Sequence, residues 1–290
     1  MEIAIGLPNA VPGTTGEQLT EWARRADKAG FSSLGTIDRV AYPNLEPLMS
    51  LAAAAAVTER IKLATTIMIV PTRENATLLA EQTATLQSIS NGRAVLGLAV
   101  GGREDDYEAV GVDFSTRGKA FDAMMTRMRE VWDGSANSSG SADTSGVGPD
   151  VASNPPTVIM GGGADIVFKR AAKYGDGWIM GGGTPDQFKE SLATLEAAWS
   201  EAGREGKPQT AALSYFSLGD AGKENANNYI LDYYEWLGEY AQGIADSAAT
   251  DADTVKGYIQ AFEDAGCEEL FFIPASSDPD QVDLLAEAAL

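Results

Sequence analysis

Short apolar runs alternate with amphipathic helical patterns along the whole chain, and this alternation limits the possible folds more than any other feature. The runs begin near Ile3, Ser33, Ile61, Ala94, Thr157, Trp178, Ala211 and Glu269. They scarcely alternate in polarity: Lys62 is followed by Leu63-Ala64-Thr65-Thr66-Ile67-Met68-Ile69-Val70. Strands buried on both faces read this way, and parallel strands wrapped by helices are the usual case. Between the runs, Leu19, Trp22, Ala23 and Ala26 share one helical face, as do Phe188, Leu192, Leu195 and Trp199. Eight strands alternating with helices point to a closed (β/α)8 barrel; an open doubly wound sheet is the alternative. A single domain over residues 1–290 is expected, since such barrels typically need about 250 residues.

Helix starts support this register. Thr184-Pro185-Asp186-Gln187 offers a capping threonine, proline at the first helical position and glutamine at the third. Asp278-Pro279-Asp280-Gln281 repeats the pattern, and Thr15…Gln18 is a plainer capping box. These caps fall on strand-to-helix loops, the face on which barrel enzymes carry their active sites. Two connections are long. The Ser/Gly/Asp/Pro-rich stretch 134–156, after the fourth helix, reads as a flexible surface loop. Residues 219–267, between strands 7 and 8, hold two helices rather than one.

Composition removes several classes of function. There is no histidine, so a Ser-His-Asp triad, a histidine metal site and a histidine general base are all excluded. Cys267 is the one cysteine, which rules out an internal disulfide and a cysteine zinc site; its neighbours read as a buried strand, so the thiol is expected to be inert. Lys and Arg number 21 against 42 Asp and Glu, a net charge of −21. Without a basic cluster, neither nucleic acid nor an anionic membrane surface is an expected partner. The opening Met1–Leu7 lacks a basic, apolar leader, and no window approaches the ~18 apolar residues of a membrane span. A cytoplasmic, acidic enzyme is the expectation.

Two glycine triplets follow consecutive strands: Gly161-Gly162-Gly163 after Val158-Ile159-Met160, and Gly181-Gly182-Gly183 after Trp178-Ile179-Met180. They read as two tight turns or, being on adjacent loops, as a cradle for a phosphate-bearing ligand, which backbone N–H groups at helix starts attract. Neither is a nucleotide-binding fingerprint or a P-loop. Gly101-Gly102-Arg103-Glu104-Asp105-Asp106-Tyr107 follows the fourth strand, as a solvated charge run or a ligand contact. Asp38-Arg39 ends the second strand, as a structural ion pair or a mouth site. Arg117 begins a helix and is either a surface residue or a bidentate phosphate ligand. Tyr229, Tyr233, Trp236 and Tyr240 fall on one helical face, which serves packing, a subunit interface or a wall over an apolar substrate.

Several of these segments together resemble the bacterial-luciferase-like superfamily of flavin- and deazaflavin-dependent oxidoreductases. The pieces are Ile3–Leu7, Ala29-Gly30-Phe31, Thr58-Glu59-Arg60-Ile61-Lys62-Leu63, Ser90-Asn91-Gly92-Arg93, Gly97–Gly101, Gly161–Gly163 and Tyr174-Gly175-Asp176-Gly177-Trp178. The resemblance implies a (β/α)8 barrel, often dimeric, so a homodimer is expected. It implies a cofactor ring beside Thr65, Thr66 and Ile67, where many relatives carry a non-proline cis peptide. It places the cofactor phosphate at Gly161–Gly163 and Gly181–Gly183, with Gly101, Met160 and Arg117 completing the cofactor set. Arg117 resembles a phosphate-contacting arginine of luciferase itself.

The departures matter as much. Relatives often have histidine where Arg39 stands. A sugar-phosphate dehydrogenase branch also uses a glutamate where Arg103 stands and a lysine where Thr184 stands, so its chemistry is not expected here. The implied activity is a monooxygenase using reduced FMN and O2 on a small organic substrate, with a separate flavin reductase as partner. The candidate catalytic residues are Asp38, Arg39, Arg103, Asp106 and Tyr107. Hydride transfer with the 8-hydroxy-5-deazaflavin coenzyme is the alternative, though a polyglutamyl tail would want more positive charge. A non-catalytic flavin-binding protein and a barrel lyase or isomerase are the other classes.

Overall fold

The doubly buried apolar runs pair side by side into one closed parallel sheet. The computed structural model describes residues 1–135 and 146–290. Its strands are β1 (Glu2–Gly6), β2 (Ser33–Thr36), β3 (Lys62–Ile69), β4 (Ala94–Ala99), β5 (Thr157–Gly161), β6 (Gly177–Met180), β7 (Gln209–Phe216) and β8 (Glu269–Pro274). They neighbour one another in sequence order, and β8 returns to β1 with Glu269 opposite Glu2 and Phe272 opposite Ile5. This is the expected (β/α)8 barrel. Each strand starts within two residues of its sequence-based position.

Around it lie α1 (Gly16–Ala29), α2 (Pro47–Ala55), α3 (Ala76–Ile89), α4 (Glu104–Val110), α5 (Arg117–Trp132), α6 (Asp165–Tyr174), α7 (Pro185–Glu201), α8 (Gly222–Tyr233), α9 (Tyr240–Asp246), α10 (Ala252–Asp264) and α11 (Asp280–Ala289). Two capping boxes form as expected. Thr15 Oγ1 accepts from Gln18 N at 3.2 Å while Gln18 Oε1 accepts from Thr15 N at 2.9 Å; Thr184 and Gln187 do the same at 3.3 and 2.9 Å. The third does not form. Gln281 turns inward and bonds the Leu218 N–H (2.7 Å) and carbonyl (2.9 Å), leaving Asp278 to accept from Asp280 N. Burying that amide on the β7–α8 loop satisfies two backbone groups at once, where a cap would satisfy one.

Between β7 and β8 there are three α-helices rather than two, because the chain breaks after Tyr233 and again after Asp246. The proposed flexible loop is described only in part, since residues 136–145 lie outside the described residues. The stretch leading into β5 is docked: Val151 is buried, and Gln87 Nε2 donates to the carbonyls of Asn154 (3.0 Å) and Pro155 (3.3 Å).

The apolar side chains divide into two clusters. Trp22, Phe31, Trp132, Trp178, Phe188 and Phe262 fill the layer between barrel and helices. Each large side chain so buried contributes roughly 1.5–3 kcal/mol. Ala4, Ala64, Ala211, Ile159, Ile179 and Phe271 belong to the second cluster, which fills the barrel and continues into Tyr229 and Tyr233 of α8. Cys267 is buried, and burial pushes its thiol up to about 12, in keeping with an inert core residue. Among the described residues no helix is long and apolar enough to cross a membrane.

One irregularity shapes the C-terminal mouth. β3 pairs with β4 through Thr65–Leu96 and then through Met68–Leu98, so β3 spends one extra residue there. The peptide between Thr66 and Ile67 is cis. Glycines make room for this bulge: a Cβ on Gly97 would lie 2.1 Å from the Thr65 carbonyl oxygen, and one on Gly35 would lie 2.7 Å from Thr66 Oγ1. Gly97→Ala is therefore expected to lose about 3 kcal/mol in urea unfolding, as an overpacked core position does; a loss under ~0.5 kcal/mol would show that the strands do not approach this closely. The Cys267 thiol should react with a thiol reagent at pH 8 only after denaturant is added, since a thiol held near 12 supplies almost no thiolate there.

Candidate active site

Strand ends and the loops after them bring most of the sequence-derived candidates to one face. Thr65 and Thr66 are buried in the bulge, where Thr65 Oγ1 donates to the Gly97 carbonyl at 2.8 Å and Thr66 Oγ1 to the Thr36 carbonyl at 3.3 Å. Ile67 is left half-buried at the mouth, pointing toward the first glycine triplet. A Cβ on Gly161 would meet Ile67 Cδ1 at 2.4 Å, and one on Gly181 would meet it at 3.3 Å. Beside them Gly162, Gly163, Met180, Gly181, Gly182 and the first turn and a half of α7 line a groove of about 510 Å³. Gly162, Gly182 and Gly183 have positive φ values (123°, 140° and 136°), so these loops require glycine for their conformation. At Gly163 and Gly182 no atom of the described residues lies within 4 Å of an added Cβ. Met160 is buried in β5, and Gly101 (φ 71°) turns the chain against Ile69.

The charged candidates form a connected wall. Asp38, 4% exposed, accepts from Ile69 N (2.7 Å) and forms a two-pronged pair with Arg73, at 2.7 and 3.1 Å. Asp106, wholly buried, accepts from Arg39 Nε (2.9 and 3.0 Å) and from the backbone N–H groups of Val40 and Ala41, both at 2.8 Å. Arg39 Nη2 donates to Asp105 (3.0 Å) and the Ala41 carbonyl (3.1 Å). Arg103 pairs with Asp105 at 2.8 Å, donates from Nη1 to the Tyr233 carbonyl at 3.1 Å, and lies over the Trp236 ring. Hydrogen bonds from Arg103 hold the Asp105 carboxyl below the usual carboxylate range. This contact persists until the pH falls through that lowered value.

Two candidates stand apart. Tyr107 is buried, donates to the Val100 carbonyl, and has its hydroxyl pushed up to about 12 by burial. It faces the protein interior behind Phe114. Arg117 stacks on Phe114 at 3.7 Å and donates to that residue's carbonyl, and it is not part of the glycine-groove wall; its Nε is buried without a partner among the described residues.

Aromatic residues complete the mouth. Tyr229 and Tyr233 are buried on the inner face of α8, whereas Trp236 and Tyr240 are 53% and 81% exposed. The expected single aromatic face is broken because α8 ends at Tyr233 and the chain re-enters a helix at Tyr240. Tyr42, Tyr215 and Tyr234 join the inner pair instead. Tyr42 and Tyr234 lie edge-on to Tyr233 at 5.1 and 4.9 Å, and the Tyr215 and Tyr234 hydroxyls are 3.0 Å apart. Burial pushes the hydroxyls of Tyr215, Tyr229 and Tyr233 well above the ordinary tyrosine range. The sequence reading missed Arg73, Tyr42, Tyr215 and Tyr234. Only Arg73, four residues beyond the β3 run, carried a positional signal.

The chain is thus a closed parallel barrel with a bulge on its third strand and glycine-rich turns after its fifth and sixth. A family model described as luciferase-like monooxygenase matches residues 1–288, and the chain belongs to that family, whose members are flavin- or F420-dependent oxidoreductases. An uncharacterised protein of Mycobacterium tuberculosis is 32% identical over 218 residues, covering 72% of this chain and 72% of its own. An F420-dependent secondary alcohol dehydrogenase, solved with an F420–acetone adduct, superposes with a TM-score of 0.81 at 19% identity, over 99% of this chain and 97% of that one. The oxygenating constituent of a Pseudomonas putida 3,6-diketocamphane monooxygenase, solved with FMN, gives 0.71 at 18%, over 99% and 96%. At such identities these likenesses establish the fold.

The charged wall yields a contrast between neighbouring carboxylates. Asp106→Asn removes the partner of a buried guanidinium and should cost about 3–5 kcal/mol of unfolding free energy. Asp105→Asn, whose side chain is 43% exposed, should cost under ~1 kcal/mol. Equal losses in paired urea titrations would show that Asp106 is not the anchor.

Proposed function

We propose that this chain is a monooxygenase that seats reduced FMN at the C-terminal mouth of its barrel and oxidises a small organic substrate with O2. The carrying observation is the meeting of the Thr66–Ile67 bulge with Gly161 and Gly181, beside a groove walled by backbone rather than side chains. That cradle fits a phosphate-bearing, planar cofactor: the glycines let a phosphate approach the N–H groups of two loops, and Ile67 offers an apolar support. Among the described residues no Lys or Arg lines the groove and Glu190 does, which favours the single phosphate of FMN over a tail carrying further carboxylates.

Bound reduced flavin would supply the two electrons that let one oxygen atom of O2 enter the substrate while the other leaves as water. A separate reductase would renew it. The chain's own residues do the rest. Backbone at Thr66 and Ile67 orients the ring. The tyrosines on α8 and β7 keep bulk water from the mouth, where a dry setting strengthens polar contacts. Arg39 is the candidate for stabilising negative charge as it develops on oxygen, since a guanidinium stays protonated. Asp38 and Asp106 are positioning residues: their oxygens are taken up by arginines and backbone N–H groups, which fixes Arg73 and Arg39 in place. Arg103 positions α8 through the Tyr233 carbonyl.

Anaerobic fluorescence titrations with FMN and with the deazaflavin coenzyme, run in parallel, test this reading. FMN should bind more tightly, below roughly 100 μM, about −5.5 kcal/mol. Tighter deazaflavin binding would replace oxygen insertion by hydride transfer, and binding of neither would overturn the cradle. Gly163→Ala should weaken FMN by at least ~10-fold, about 1.4 kcal/mol, without lowering the melting temperature, because no described atom lies within 4 Å of an added Cβ.

A further inference from the structure

One wall of the glycine groove is a helix face. Gln187, Glu190 and Ser191 stand at i, i+3 and i+4 on α7 and line the groove together with Gly162, Gly163, Gly181 and Gly182. Gln187 is committed to the capping box, its Oε1 accepting from Thr184 N at 2.9 Å. Glu190 is exposed, and among the described residues it makes no ion pair. Residues 136–145 contain no Lys or Arg that could supply one. Lys189 precedes it in the chain but, about 100° around the helix, does not line the groove. Glu190 lies six residues beyond the N-cap Thr184, about 9 Å along the axis at ~1.5 Å per residue. A phosphate drawn to the backbone N–H groups at the start of α7 therefore has an uncompensated carboxylate beyond it. The groove, at about 510 Å³, is roomier than one phosphate group needs, so space alone does not exclude a longer anion.

We propose that Glu190 is a specificity-determining residue of the cofactor seat: its carboxylate repels negative charge carried beyond the first phosphate, so the groove accepts a ligand ending in a single phosphate and rejects one that continues into a carboxylate tail. This rests on the reading of the groove as a cofactor seat and adds the residue that sets its selectivity. The net charge of −21 acts on every anion alike. Glu190 acts only on the end of a ligand that passes it, because its separation from a tail carboxylate is comparable with the ~10 Å Debye length at 0.1 M salt. Each further carboxylate on the tail adds to the repulsion. Replacing the carboxylate of Glu190 by an ammonium group reverses this local contribution and leaves the field of the rest of the protein almost unchanged.

Fluorescence titrations of the full chain with FMN and with the deazaflavin coenzyme bearing a short or a long glutamyl tail isolate this contribution, because the two coenzyme forms share one ring. The unsubstituted chain should bind the long-tailed form more weakly than the short-tailed one. The gap should close at about 1 M NaCl, where the Debye length falls to ~3 Å. At low salt Glu190→Lys should strengthen the long-tailed form relative to FMN by roughly five- to tenfold. Glu196→Lys makes the same change of net charge at an exposed position of α7 outside the groove, and should move that ratio by less than about twofold. Both exposed substitutions should leave the melting temperature unchanged. With FMN bound, an unchanged ratio in Glu190→Lys, an equal change in Glu196→Lys, or an affinity independent of tail length would each overturn the assignment of Glu190 alone. Binding of none of the three ligands by any of these proteins would overturn the cofactor seat itself, and its selectivity with it.

Discussion

The close approach of β3 and β4 at Gly97 governs the mouth of this barrel. With no side chain on Gly97, the Thr65 carbonyl sits where a Cβ would be, and the extra residue of β3 is accommodated there. The bulge then redirects Ile67 out of the strand-to-strand layer and toward the glycines of β5 and β6. The same displacement lets the Ile69 N–H reach Asp38, which brings Arg73 back over the mouth. Apolar support and charged wall therefore share one origin in strand packing.

The wall is stabilised less by its charges than by their being paired. Each buried ion would be costly alone, and the geometry offsets this with several hydrogen bonds to each carboxylate. Asp106 illustrates it: one side chain accepts from the Arg39 Nε and from two consecutive backbone N–H groups of the β2–α2 loop. That loop is thereby fixed against α4, although 65 residues separate Asp106 from Ala41.

The barrel was legible in the sequence because each strand is a short, doubly buried apolar run, and capping residues punctuate the helices. The glycine triplets were legible as turns after consecutive strands, and the positive φ of Gly162, Gly182 and Gly183 gives the physical reason for glycine there. The aromatic mouth was not. A helical period extended from Tyr229 to Tyr240 ignores the break after Tyr233, and only tertiary packing shows that Tyr215 and Tyr42, from β7 and the β2–α2 loop, belong beside it. The charge run at Arg103–Asp106 was ambiguous for a similar reason. Spacing along a chain does not reveal that Asp106 turns inward while Asp105 stays at the surface.

The cradle and the aromatic wall come from separate stretches of chain. Bulge and glycine loops belong to β3, β5 and β6, whereas Tyr229 and Tyr233 stand on an insertion between β7 and β8 that reaches the other candidate residues through a few side-chain contacts and the Arg103 link. Loops carried on a rigid barrel change more readily than the barrel itself. Residues 222–246 thus behave as a replaceable cassette, in which drift can reshape the aromatic side of the mouth while the bulge and the glycine loops stay under their own, independent constraints.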